Sequence, residues 1–376
     1  MSVRDRLLSK WWIVVGLVLL FGAPDIARFV PSVPLLVIQQ GILFGMAAVG
    51  LNLLLRHIKL VSFGHAAFFG TGAYTVALLA STNAERLLGA PDVAAFVPLL
   101  LAATGVATVM AAIIGYLSLR YTGLYFSLLT LAFGQLLYAI VNGNNALLGG
   151  SDGLGIRPGS EGQVTMLGAH LGDHYSLIMY YVSAILLVLG LYAMYRIVNS
   201  PFGKALDAIG QDRTRAEFIG LPVKRYIWVA FVISGVYTGI AGALFAMTQQ
   251  YINPMQTLYF LRSGDILFMA ILGGFQTLVG PVIGGVVLEF LLFIGEDIAG
   301  NLDSLVAGIA LLVLVYGFPR GIVGSLREGG VVHDGLDRLR HDPTVLQEWI
   351  GRVGTGVVSA GRRSIDTVRT LIFGVS

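Results

Sequence analysis

Apolar runs long enough to cross a hydrocarbon layer recur along this chain, from about residue 11 to about residue 319. A layer about 30 Å thick takes about 20 residues of helix, and inside it every backbone N–H and C=O must bond within the protein. Only helices and closed barrels meet that condition. A barrel would show ten-residue segments of alternating polarity, which this sequence lacks. The chain is 56% hydrophobic and 12% charged, about half the charge of a soluble domain. It reads as an all-α polytopic membrane protein. Spans are expected near 11–23, 33–55, 60–81, 94–119, 122–142, 175–197, 227–249, 265–280, 281–298 and 303–319. Gly273, Gly274, Gly280 and Pro281 interrupt the stretch 265–298, which reads as two short helices or one broken helix.

The basic residues orient the chain. With the N-terminus inside, the inner loops before residue 320 hold Arg4, Arg6, Lys10, Arg56, Lys59, Arg120, Arg196, Lys204, Arg213, Arg215, Lys224 and Arg225. The outer loops hold Arg28, Arg86, Arg157 and Arg262. This bias puts both termini in the cytoplasm. The net charge of +3 therefore reports membrane orientation rather than nucleic-acid binding. The first apolar run has Phe21 or Asp25 where a signal-peptide cleavage site needs a small residue, so it reads as a retained helix. The chain divides into an N-terminal helix and connector (1–32), a transmembrane domain (33–319) and a basic cytoplasmic tail (320–376) whose role is not legible.

Several chemistries are excluded. No cysteine is present, so disulfides, thiol catalysis and zinc–thiolate or iron–sulfur sites do not arise. Gly203-Lys204 is followed by Ala205 and lacks the upstream glycine of a phosphate loop; no HExxH or GxSxG occurs. The chain should hydrolyse no ATP and hold no cofactor or metal.

One loop is long and basic. Residues 198–226 carry Lys204, Arg213, Arg215, Lys224 and Arg225 against Asp207, Asp212 and Glu217. Within it, 213–221 reads as a short helix ended by Gly220 and kept from continuing by Pro222. Such a helix would present Ala216, Phe218 and Ile219 to a cytoplasmic partner, with Arg213 and Arg215 on its rim and Glu217 between them.

Small residues four apart, as at Gly41 and Gly45, Gly235 and Gly239, Gly280 and Gly284, and Gly317 and Gly321, let helix backbones approach closely. The segment Leu60–Leu79 adds Ser62, His65, Thr71, Tyr74 and Thr75 to three glycines. A helix so polar and so weakly self-supporting suits the wall of a solute pathway. His65 has no second ligand at metal spacing and reads as a packing residue or path residue. Glu289 lies in an apolar run, where a carboxylate is costly; a structural partner and a proton relay are its two readings.

Gly50-Leu51-Asn52-Leu53, Ser62–Tyr74, Tyr125–Gln135, Gly149–Leu154, Ser200–Leu221 and Ile271–Gly284, in that order, resemble the membrane subunits of the branched-chain amino acid ABC importers. The likeness is to the second of that system's two paralogous permeases and covers about residues 40–320. It implies a partner permease subunit, two cytoplasmic ATPase subunits that use the ATP, an external solute-binding protein, a small-molecule substrate and a surrounding lipid membrane. It places Arg213 through Gly220 in the family's ATPase-coupling element. Asn52 of the first motif joins Ser62, His65, Thr71, Tyr74 and Thr75 as path candidates. Two departures stand out: Phe218 replaces a small or aliphatic residue, and Arg56-His57-Ile58-Lys59 replaces a glycine-containing apolar turn. The implied function is import of branched-chain amino acids across a prokaryotic cell membrane. Urea and short-chain amide permeases are close relatives, and a proton-coupled carrier is the reading from another class.

Overall fold

The computed structural model of the chain describes residues 16, 18, 20–24, 34–80, 96–121, 123–156, 165–166, 169–170, 174–299, 308, 312 and 321–326. Ten helices carry the architecture among these residues: α1 (Leu35–Leu53), α2 (His65–Ala80), α3 (Phe96–Ser118), α4 (Leu124–Asn142), α5 (Tyr175–Val198), α6 (Pro201–Gln211), α7 (Arg213–Phe218), α8 (Val223–Gln249), α9 (Phe260–Gly273) and α10 (Gly280–Ala299). A π-helical turn, Leu54–Ile58, extends α1. Among the described residues, five elements are long and apolar enough to cross a membrane: α1 with its π turn, α3, α4, α5 and α8. The shorter α2 and α10 are also apolar. The expected spans 11–23 and 303–319 lie outside the described residues except at single positions and at 20–23.

Burial sorts the helices into layers. In the most apolar window, 78% of the α1 element and 72% of α8 is buried, against 28% of α3, 28% of α4 and 33% of α5. Helices α1, α2 and α8 therefore form the centre, and α3, α4 and α5 turn large apolar side chains such as Leu101, Val109, Leu136 and Leu189 outward. That outward face is the arrangement a lipid environment stabilises. Glycine brings the central backbones together. A Cβ at Gly72 would run into the Gly239 carbonyl, and Gly41 and Gly45 of α1 meet the Val286 and Val282 backbones of α10 in the same way. Small residues thus sit where the spacing placed them, except Gly317, which is outside the described residues.

The stretch 265–298 is two helices, α9 and α10, with Gly274 between them at φ +105°. Helix α9 begins at Phe260, earlier than the apolar run suggests. Arg262, expected in an outer loop, therefore lies in its first turn. The reason is local: Arg262 Nη1 pairs with Asp265 Oδ2 at 3.3 Å, i to i+3, which lets both charges enter the helix. At 14 residues α9 is about 21 Å long, too short to cross about 30 Å alone. Before it come the strand Tyr251–Ile252 and the single turn Pro254–Thr257, whose cap Asn253 accepts from Gln256 N.

Opposite the basic loop, Gly149-Gly150-Ser151-Asp152-Gly153 forms a tight turn with Gly149 and Gly153 both at φ +73°. It feeds Leu154–Gly155 into an antiparallel pair with Tyr251–Ile252, and Tyr251 Oη donates to Asp152 O at 2.7 Å. At the N-terminal end, Tyr180 Oη donates to Leu20 O at 2.7 Å, seating the described end of the first apolar run on α5. Contacts divide the chain after Val323; of the second unit only Gly324–Leu326 is described, as helix.

Candidate functional site

The basic loop folds into two capped helices. Ser200 accepts from Gly203 N and Pro201 occupies the first helical position, so α6 starts cleanly; Gly203, Leu206 and Ile209 form its buried stripe. Asp212 then accepts from Arg215 N at 3.1 Å to cap α7. At its other end Gly220, at φ +87°, donates to Glu217 O at 2.9 Å, and Leu221 N donates to Ala216 O at 3.1 Å. These two bonds are the Schellman closure that a left-handed glycine permits. The helix expected over 213–221 is present, shorter by its closing turn.

Its side chains divide. Phe218 is 86% and Ile219 74% exposed, beside exposed Arg215 and Glu217. Ala216, expected to face outward with them, is buried, because the closure folds Leu221 back over it and α7 leans on the start of α8. Arg213 is half-buried, and desolvation lowers its guanidinium from the ordinary arginine range. The Arg215–Asp212 pair is surface-exposed and contributes little.

Helix α6 rests on the π turn after α1. Buried His57 donates through Nδ1 to Asp207 Oδ1 at 2.5 Å, and Gly210 lies against the His57 backbone. Beyond His57 the chain turns at Lys59, a non-glycine residue at φ +56°. The turn is thus made without a glycine, at a cost of about 1 kcal/mol. Beside it, Lys59, Val61, Gly123, Ser127, Gly210 and Arg213 border a cleft of about 530 Å³. No sequence signal joins His57 to Asp207; only the tertiary fold does.

The path candidates lie deeper. Asn52 Nδ2 donates to Thr277 O at 2.9 Å, in the break between α9 and α10, while its Oδ1 has no partner among the described residues. Ser62 Oγ accepts from Gly64 N, and His65 Nε2 pairs with Ser234 Oγ of α8 at 2.7 Å. Ser62, His65 and Asn52 are buried inside this subunit. Tyr74 is buried too, its hydroxyl without a partner among the described residues. Thr71 and Thr75 are half-buried one turn apart, their hydroxyls donating to Ala67 O and Thr71 O of their own helix. The structure thus brings His65 to the α2–α8 contact, with Ser62 buried just before α2, and leaves Thr71 and Thr75 on a separate, partly open strip.

Arg262, whose i to i+3 spacing to Asp265 is the signal that both belong to one helix, is a further polar group at this level. Arg262 lies with its guanidinium 4.6 Å from the Phe44 ring centre and donates from Nε to Gln256 O at 2.8 Å.

Over residues 33–315 the chain matches the family described as Branched-chain amino acid transport system / permease component. It is 26% identical over 295 residues to the High-affinity branched-chain amino acid transport system permease protein LivM of Escherichia coli K12, covering 74% of this chain and 67% of that protein. To BraD of Pseudomonas aeruginosa, a permease protein of the same description, it is 30% identical over 151 residues, covering 40% and 48%. To LivH of Escherichia coli K12 it is 30% identical over 126 residues, covering 33% and 40%. No solved structure is a significant match.

Proposed function

Because the chain belongs to the family of branched-chain amino acid transport permease components, we propose that it is the LivM-like transmembrane subunit of an ATP-driven importer of leucine, isoleucine and valine. The family match across 33–315, on a helical multi-pass chain of the cell membrane, carries this reading. A paralogous permease completes the path, two cytoplasmic ATPases drive it, and an external binding protein delivers the substrate. Ten spans with both termini inside fit the charge bias. The loops at 58–63, 123–127 and 209–213 share one end of the bundle, which the reading assigns to the cytoplasm, and those at 149–156 and 250–253 pair at another.

Force enters through α7. Phe218 and Ile219 form a knob without packing partners in this subunit, on a helix held rigid by caps at both ends. Helix α6 carries the push to the π turn through Asp207 and His57, and α1 carries it to Asn52 and so to the break at Thr277. Substrate passes along the Thr71–Thr75 strip, with Asn52, Ser62, His65 and Tyr74 behind it. The chain itself hydrolyses nothing; ATP is consumed by its partners.

The test is co-purification with the partner subunits and reconstitution in proteoliposomes. Leucine uptake that requires both ATP and the binding protein is expected. Uptake of urea or a short-chain amide without competition by leucine would overturn the substrate class. Uptake by this chain alone, driven by a pH gradient, would overturn the importer reading.

A further inference from the structure

A basic cleft opens where two spans end. The span Leu35–Ile58 stops at Ile58 and the span Leu124–Asn142 starts at Leu124, and both residues line the cleft of about 530 Å³ described above. That volume lies within the range of small-ligand sites, about 300–1,000 Å³. Hydrocarbon ends where the spans end, so the cleft lies at the depth of the lipid headgroups. On α4, Leu124 and Leu128 stand exposed one turn apart, on a helix that turns apolar side chains outward. Tyr121 and Tyr125, on either side of Leu124, are exposed as well, and tyrosine is the residue type that settles at a membrane–water interface.

The charge of the cleft is unbalanced. Lys59 and Arg213 line it, and none of its lining residues is acidic. The carboxylates of the adjoining helices are engaged elsewhere: Asp207 with His57, and Asp212 with Arg215 and as the cap of α7. Among the described residues the ion pairs are these two and Arg262–Asp265, which leaves Lys59 and Arg213 outside all of them. Arg213 is half-buried, a costly state for a guanidinium without a counter-charge. Lys59 is held at φ +56°, an angle that glycine adopts without strain. A bulkier residue kept at a strained angle points to a use for its side chain. Gly123 offers no side-chain cap to α4, and the first turn of that 19-residue helix holds no acidic residue, so its positive end meets the same cleft.

We propose that this cleft binds the phosphate headgroup of an anionic glycerophospholipid from the cytoplasmic leaflet. The phosphate takes the Lys59 ammonium, the Arg213 guanidinium and the N–H groups at the start of α4, and the acyl chains run along Leu124 and Leu128. Basic pockets between spans on the cytoplasmic side suit such headgroups. A lipid fits better than a soluble anion, because exposed Val61 and Leu124 border the two charges. The cleft joins the π turn after α1 to the start of α7, so a seated lipid ties the membrane part to the coupling helices. The inference rests on the bundle crossing a membrane with its basic loop inside, and not on which solute is carried.

The experiment titrates the complete importer in detergent with phosphatidylglycerol or with phosphatidylcholine, and reads bound lipid by native mass spectrometry. It needs no leucine uptake, so this inference and the substrate assignment can fail separately. The wild-type complex should prefer phosphatidylglycerol. Lys59→Gly and Arg213→Gln should each weaken its binding about five-fold, the attraction that one basic side chain supplies at a membrane surface, and leave phosphatidylcholine binding unchanged. Lys59→Gly relieves the strained angle, so a lost lipid there is not a lost fold. Lys59→Arg keeps the charge and should keep most of the binding. Equal affinity of the wild-type complex for the two lipids, as an ATPase carboxylate seated in the cleft would give, would overturn the proposal. Wild-type phosphatidylglycerol binding in either Lys59→Gly or Arg213→Gln would do the same. Inorganic phosphate that competes as well as the lipid would assign the cleft to a soluble anion and reject the lipid.

Discussion

The centre of the bundle and the cytoplasmic coupling end are built on opposite rules. At the α1–α2–α8 centre, glycines let backbones touch, aromatic rings such as Phe44, Phe69 and Phe245 pack with centroids 5.0 to 5.4 Å apart, and the polar groups His65 and Ser234 bond to each other. Nothing there can move without its neighbours. At the coupling end, two short helices are fixed by caps, by the buried stripe of α6 and by the His57–Asp207 pair, while Phe218 and Ile219 at the end of α7 stand exposed. The difference teaches how a subunit without its own energy source can be driven. A contact site needs a rigid, unsatisfied knob, and the membrane part needs to follow as a body.

The contrast can be broken at its tightest point first. Gly72→Val should destabilise by about 3 kcal/mol or more and remove most folded protein from detergent extracts, since the added atoms meet the Gly239 backbone rather than a flexible side chain. Ala216→Arg should cost about 2 kcal/mol in thermal unfolding, because Ala216 belongs to the packed side of α7 and not to its knob. His57→Ala should cost about 1–2 kcal/mol by leaving Asp207 without its partner, and should lower uptake more than it lowers the amount of assembled complex. Lys59→Gly should move the other way, stabilising by about 1 kcal/mol in the same unfolding measurement, since glycine adopts φ +56° without strain.

Much of this contrast was legible in the sequence. Apolar run length located the helices, the four-residue glycine spacing located their contacts, and Gly220 and Pro222 marked the end of α7. What stayed hidden needed the third dimension. The run Phe260–Asp265 looks like loop, because Arg262 and Asp265 cancel only when the helix brings them within reach. Ala216 turns inward because Leu221 closes over it, and no pattern within α7 distinguishes its inner face from its outer one over six residues. His57 and Asp207 are far apart in the chain, so their pairing has no local signature. The π turn that buries His57 likewise depends on α6 lying beneath it.

The central claim is that energy reaches this subunit through the exposed knob of α7. The most direct measurement is ATP-driven leucine uptake by the reconstituted importer carrying Phe218→Asp, with thermal stability of the purified complex followed in parallel. Phe218 is exposed, so the unfolding midpoint of this chain should shift by less than about 0.5 kcal/mol in equivalent stability. Uptake should nevertheless fall at least about ten-fold, the loss expected when a buried apolar anchor at an interface is replaced by a charge. Uptake at the wild-type rate from a correctly assembled Phe218→Asp complex would contradict the account.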